Sequence, residues 1–259
     1  LQRMEPDYIV IGAGSAGSLL AARLAETSAN VLLLEAGPDT WHPLIHIPAG
    51  VRSLHRNPAL NWSYSTEPHP DTANRSIHWP RGRVIGGSGS INGMLYVRGN
   101  PGDYDSWADM GCPGWSYADV LPYFKKSENK IGLGDAQFHG RAGPFTITDI
   151  DDTDPLCDAF IRGAESLGIP RNDDYNGRVQ EGISYAQRSV YRGRRVSPAR
   201  VFLYPAEKRG NTRIITNAHV QRIEITDGRA HGVSFKIGGP QAPLQTVSAA
   251  REVILCAGA

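Results

Sequence analysis

"DYIVIGAGSAGSLLAARLAETSANVLLLEAG", residues 7–37, decides the fold. Tyr8 to Ile11 is an unbroken apolar run, as expected of a strand buried on both faces. Gly12, Gly14 and Gly17 follow as G-x-G-x-x-G, and Ser18 to Glu26 continue as a helix carrying Leu19, Leu20 and Leu24. A second apolar strand, Val31 to Leu34, ends in Glu35. Strand, glycine turn, helix and strand in that order predict an α/β fold built on a parallel sheet.

Each glycine has a mechanical purpose. Gly12 permits the tight turn, Gly14 lets a pyrophosphate approach the backbone, and Gly17 lets helix and strand pack closely. The helix N-terminus offers unpaired N–H groups and a partial positive charge to phosphates. Glu35, ending the second strand, is placed to accept hydrogen bonds from the two hydroxyls of an adenosine ribose. Its charge disfavours a 2′-phosphate and therefore NADP. Together these features predict dinucleotide binding.

The chain does not continue with the strand–helix alternation of an NAD domain. Residues 36–80 are rich in proline, histidine and aromatics with little periodicity, and read as a long loop or lid over the nucleotide. A second glycine segment then follows, "RGRVIGGSGSINGMLYVRG", residues 81–99. Gly86 and Gly87 allow another close backbone approach, Ser88, Ser90 and Asn92 supply small polar groups, and Ile91, Met94 and Leu95 an apolar wall. A flexible linker would not carry "INGMLYV". A ligand charged at one end and flat and apolar at the other suits FAD better than a nicotinamide.

These segments resemble the glucose–methanol–choline (GMC) oxidoreductases, nearest their choline-dehydrogenase-like alcohol dehydrogenases. The resemblance rests on "DYIVIGAGSAGSLLAARL", "RGRVIGGSGSINGMLYVRGNPGDYDSW", "FHGRAGP" (138–144), "GRRVSPARVFL" (193–203) and "EVILCAGA", and runs in order from Asp7 to Ala259. It implies a Rossmann-like FAD-binding fold. The backbone of Gly12, Gly14, Ser15, Ala16 and Gly17 would hold the pyrophosphate, and Glu35 with Ala36 the ribose. Arg83, Val84, Gly87, Ser88, Asn92, Gly93, Met94 and Leu95 would run along pyrophosphate and flavin, with Asn92, Gly93 and Met94 nearest the isoalloxazine. Val220 would meet the adenine through its backbone, and Ala257 would close the site behind the last strand. Some members attach FAD through a histidine just before the asparagine of this block; Ile91 stands there and has no nucleophile, so FAD is expected to be non-covalent.

The same resemblance implies oxidation of a primary alcohol by hydride transfer to flavin N5, with oxygen or a quinone-like carrier as acceptor. Lyases and photodecarboxylases share the fold, and a bare FAD-binding module is a third reading. The family's catalytic histidine lies in a C-terminal half with no match here, so no catalytic residue is assigned, and a C-terminal remainder is an expected partner. Of the eight histidines, His42, His46, His55, His69 and His78 read as solvated or lid residues, His139 as structural, and His219 and His231 as members of hairpin strands.

The rest of the chain fits this layout. Residues 1–150 form the first part of the FAD domain and 151–205 begin a separate substrate-binding domain with two helical patterns. Residues 206–259 return to the FAD domain as an antiparallel meander ("TRIIT", "VQRIEI", the turn Asp227-Gly228, "HGVSFKI", "LQTVSA") and a buried strand, "REVILCAG". Arg192, Arg194, Arg195 and Arg200 suggest a solvated face or a tied-down loop. Trp41, Trp62, Tyr64 and Trp79 are able to stack on adenine or flavin, with core or lid packing as the default.

Bulk composition excludes other classes. The chain has 259 residues, a formal charge of +1, and 40% hydrophobic and 20% charged residues. That balance gives no electrostatic reason to bind nucleic acid. No apolar run approaches the roughly 18 residues of a membrane span. Cys112, Cys157 and Cys256 are scattered, without metal-type spacing, and read as free thiols. With no leader-like start, the sequons at Asn61 and Asn74 read as chance matches and the chain as cytoplasmic.

Overall fold

The structure, a computed structural model, describes residues 5–258; Ala259, the end of the family-like "AGA", lies outside them. In chain order the elements are β1 (Tyr8–Ile11), α1 (Ser15–Leu24), β2 (Val31–Leu34), α2 (Val51–His55), β3 (Tyr64–Ser65), β4 (His78–Trp79), α3 (Pro101–Asp109), α4 (Tyr117–Ser127), β5 (Glu128–Ile131) and β6 (Phe145–Thr148). They continue as α5 (Pro155–Ser166), β7 (Val190–Tyr191), β8 (Arg194–Arg195), α6 (Tyr204–Glu207), β9 (Thr212–Ile215), β10 (Ala218–Thr226), β11 (Arg229–Ile237), β12 (Gln245–Ser248) and β13 (Glu252–Leu255).

The chain packs as two compact units, divided after Gly93 and after Val196. The sequence reading instead places its boundaries at residues 150 and 205.

The first unit is organised by a parallel sheet of order β13-β1-β2-β9. Because side chains alternate across a strand, the apolar runs of β1 and β2 supply two faces at once. Val10, Val31 and Leu33 pack with Ala21 of α1 and with Ala199 and Leu203. Ile9, Ile11, Leu32 and Leu34 pack on the opposite side against Ala218, Val233 and Phe235 of the β10-β11-β12 meander. Burying one such aliphatic side chain contributes about 1.5–3 kcal/mol, so both glycine turns stand on a stiff three-layer base.

One strand departs from the sequence reading. The alternation of "TRIIT" suits the meander, but Thr212–Ile215 is β9 and pairs in parallel with β2, Val31 opposite Thr212 and Leu34 opposite Ile215. The meander proper begins at Ala218, and its turn has both Asp227 (φ 50°) and Gly228 (φ 75°) left-handed, the backbone of a two-residue hairpin.

Residues 36–80 are not the structureless loop expected. They hold α2 and three short 3₁₀ turns, and Ile45, Leu54 and Leu60 form a small core with Val84 and Ile91. Short proline-initiated turns carry no long period, so the pattern was invisible. Ile91, expected in an apolar wall, is one of these core residues. Ser90 is likewise buried, its hydroxyl donating to the Ile85 carbonyl at 2.7 Å.

The second unit, residues 94–196, carries capped helices and a buried polar centre. Asn100, Ser116 and Asp154 cap α3, α4 and α5. Inside, Arg98 pairs with Glu128 at 2.6 Å. His139 lies between two carboxylates, Nδ1 3.2 Å from Glu128 and Nε2 2.8 Å from Asp174. His139 is therefore a fully buried structural residue. Of the basic run, Arg192 and Arg194 are exposed while Arg195 is buried, its guanidinium pushed down to about 10 by desolvation; the solvated-face reading fails for Arg195. Among the described residues no helix is long and apolar enough to cross a membrane.

Candidate cofactor-binding site

The first unit contains a cavity of about 1010 Å³ at the carboxyl ends of β1, β2 and β13, at the upper end of the range for small-molecule sites. Its floor is the β1–α1 turn. Gly12 has φ +95°, and a Cβ there would lie 2.6 Å from the Cys256 carbonyl oxygen; a Cβ on Gly17 would lie 1.9 Å from the Gly12 carbonyl oxygen. The turn is therefore possible only with glycine at both places. Gly14 differs: a Cβ on it meets nothing within 4 Å, and its space belongs to the cavity.

Gly14 is also the N-cap of α1, with no side-chain cap and no acidic residue in the first turn. The leading amides of a helix lack intrahelical partners, and Gly14, Ser15 and Ala16 line the cavity. Uncapped amides facing a cavity form an anion site.

The second glycine segment closes on the first. Gly86 donates its amide to the Ala13 carbonyl at 2.7 Å, and a Cβ on Gly87 would sit 2.8 Å from the Gly14 Cα. Gly87 and Ser88 line the cavity with Arg81 and Gly82, and the Ser88 hydroxyl accepts from the Gly82 amide at 3.1 Å.

Glu35 forms the next part of the wall. Its Oε2 accepts from the Ala13 amide at 2.8 Å and its Oε1 from the Gly37 amide at 2.9 Å. Burial raises its carboxyl above the ordinary value of 4.5, an effect the two amides and Arg83 oppose. Each oxygen retains a lone pair for a further donor, so the residue fits a ribose diol.

Of the residues singled out from sequence, Gly12, Gly14, Ser15, Ala16, Glu35, Ala36, Gly87, Ser88, Val220 and Ala257 line this one cavity. Gly17 stands behind it. Val84 is in the core, and the Arg83 guanidinium turns to the Pro58 and Ala59 carbonyls. Asn92 and Gly93 are exposed and outside the lining. Met94, at φ +62°, and Leu95 belong to the second unit.

Of the lining residues without a site assignment, four have aromatic or basic side chains: Trp62, Tyr64, Arg81 and His219. The i, i+2 spacing of Trp62 and Tyr64 in an extended segment was the available signal, since it puts both rings on one face. Trp41 and Trp79, by contrast, are 85% and 47% exposed and pack in no core.

Comparison with known proteins agrees with this geometry. The chain is 44% identical over 255 residues to an oxygen-dependent choline dehydrogenase of Rhizobium etli (strain CIAT 652), and 45% identical over the same length to one of Sinorhizobium fredii (strain NBRC 101917 / NGR234). In each case 98% of the chain is matched, and it spans 46% of the relative's length. Among solved structures, pyridoxine 4-oxidase from Mesorbium loti superposes with a TM-score of 0.91 at 36% identity, covering 98% of this chain and 49% of that one. An FAD-dependent oxidoreductase from Chaetomium thermophilum gives 0.87 at 28%, covering 98% and 45%. The GMC oxidoreductase family model matches residues 6–259, and the chain belongs to that family.

Proposed function

We propose that this chain is the FAD-binding part of a choline-dehydrogenase-like oxidoreductase acting on the CH–OH group of primary alcohols, with oxygen as electron acceptor. The observation that carries the reading is the meeting of an uncapped helix N-terminus, a second glycine backbone and a buried carboxylate around one cavity. The names of the matched relatives supply alcohol chemistry and oxygen.

FAD, when bound, supplies an acceptor for the hydride of the alcohol carbon. The chain's own residues bind and orient it. The amides of Ser15 and Ala16 receive the pyrophosphate, Arg81 adds a positive charge on the same cavity wall, and Glu35 accepts from the ribose hydroxyls. At Gly87 an added Cβ would lie 2.8 Å from the Gly14 Cα, so the two backbones meet with no side chain between them.

The cofactor is held without a covalent bond. Ile91 occupies the position of the linking histidine, has no nucleophile, and packs with Ile45, Leu54, Leu60 and Val84. The proton-accepting base and part of the substrate-binding domain would come from the polypeptide that the longer relatives possess beyond the match.

Anaerobic titration of the full-length protein with choline and other primary alcohols tests this. The expected result is bleaching of the oxidised flavin band, with all flavin released by acid precipitation. Colourless protein that takes up no FAD would refute the cofactor reading; a flavin that no alcohol bleaches would refute the reaction.

A further inference from the structure

The chain contains two Asn–Gly pairs, Asn92–Gly93 and Asn176–Gly177. Such a pair carries its own reaction. The glycine amide nitrogen attacks the side-chain carbonyl carbon of the asparagine, forming a new N–Cγ bond and closing a cyclic imide. The bond from Cγ to the side-chain nitrogen breaks, and that nitrogen leaves as ammonia with the glycine N–H proton. Water then opens the ring at either carbonyl, giving aspartate or isoaspartate. Glycine, without a Cβ, hinders the closure least.

The fold treats the two pairs in opposite ways. Asn176 is buried. Its Oδ1 accepts from the Arg98 amide at 2.7 Å, and its Nδ2 donates to the Tyr96 carbonyl at 3.0 Å and to the Gln187 Oε1 at 2.7 Å. The Gly177 amide is engaged as well, donating to the Asp174 carbonyl at 2.9 Å. Both reacting groups are thereby held in other bonds and shielded from the water that must open the ring. Asn92 and Gly93, by contrast, are exposed. They follow the 3₁₀ turn Gly87–Ser90, where the Asn92 main-chain amide donates to the Ser88 carbonyl at 2.8 Å. The Gly93 amide makes no hydrogen bond among the described residues, so solvent reaches it. A Cβ on Gly93 would meet nothing within 4 Å, which leaves room for the ring to close.

We propose that Asn92–Gly93 is a site of spontaneous deamidation in the flavin-free protein, and that the fold spares Asn176–Gly177. Conversion adds a carboxylate, and in the isoaspartyl form an extra main-chain methylene, just after the Gly87–Ser88 backbone that lines the cavity. No bound cofactor enters this chemistry, which needs water alone.

The test ages flavin-free full-length protein in warm, mildly alkaline buffer and follows both pairs by peptide mapping that resolves asparagine, aspartate and isoaspartate. Asn176 must open locally before it reacts, and each hydrogen bond broken on the way adds to its barrier. Position 92 should therefore convert faster than position 176 by about tenfold or more. In protein unfolded by guanidinium chloride the two pairs should react at similar rates, because nothing then holds Asn176. Equal rates in the folded protein would overturn the proposal, as would an Asn92 that stays intact. A difference that persists in the unfolded chain would overturn it too, by tracing the contrast to neighbouring side chains rather than to the fold.

Discussion

The Gly86 amide donates to the Ala13 carbonyl at 2.7 Å, fastening together two glycine segments more than seventy residues apart in the chain. Next to this bond Gly87 approaches Gly14 so closely that a methyl group at residue 87 would sit 2.8 Å from its Cα. The cavity floor is therefore two backbones in contact, with no side chain between them, and glycine is required for different reasons at neighbouring positions.

Gly17→Ala and Gly14→Ala should consequently separate. The alanine methyl at 17 would overlap the Gly12 carbonyl oxygen, whereas at 14 it meets open space on an unstrained backbone (φ −69°). We expect Gly17→Ala to lower the melting temperature of flavin-free protein by at least ~4 °C, given about 2–4 °C per kcal/mol for a domain of this size. Gly14→Ala should melt as wild type and lose about tenfold or more in FAD affinity, read by fluorescence titration.

Glu35→Gln tests the buried carboxylate. An amide oxygen can accept from only one side, so its NH₂ would face either the Ala13 or the Gly37 amide. Leaving a buried donor unsatisfied costs about 1–3 kcal/mol, and urea denaturation of flavin-free protein should show a loss of that size. FAD affinity should fall as well; an unchanged affinity would remove Glu35 from the ribose site.

Tyr204 predicts an alkaline limit. Its hydroxyl bonds to the Asp39 carboxylate and lies 2.5 Å from the Thr40 hydroxyl. Burial, followed by the Asp39 bond, pushes it from 10.0 up to about 12. A proton held more tightly in the folded state stabilises fully below the unfolded value and is lost as pH rises through the folded one. Wild type should hold an advantage over Tyr204→Phe below pH 10 that shrinks progressively between 10 and 12, as pH-dependent denaturation would reveal.

In the second unit, Arg98→Met should be far worse than its size suggests. It strips the partner from Glu128, whose side chain is fully buried, and breaking a buried ion pair from one side costs about 3–5 kcal/mol. The double variant Arg98→Met/Glu128→Gln should recover part of that loss. A single variant as stable as wild type would show that Glu128 finds compensation in His139.

Much of the first unit was legible because its signals are local. Gly12, Gly14 and Gly17 lie within six residues, and the left-handed Asp227 and Gly228 announce their own hairpin. β9 was misplaced for the opposite reason: four residues reading Thr-Arg-Ile-Ile make a strand in either sheet, and only the free edge of β2 decides the partner. Ile91 was misread because an apolar residue in a glycine segment suits a cavity wall as well as a core.

The sequence alone determined the strand–turn–helix–strand unit and the acidic residue at its end, since those depend on spacing along the chain, and its blocks carried the family resemblance. Tertiary structure alone decided that Gly87 lies on Gly14, that Ile91 turns inward, and that Trp62 and His219 face one cavity. Such contacts join residues whose separation in sequence carries no period, and only the closed packing of the sheet, α1 and the meander brings them within reach.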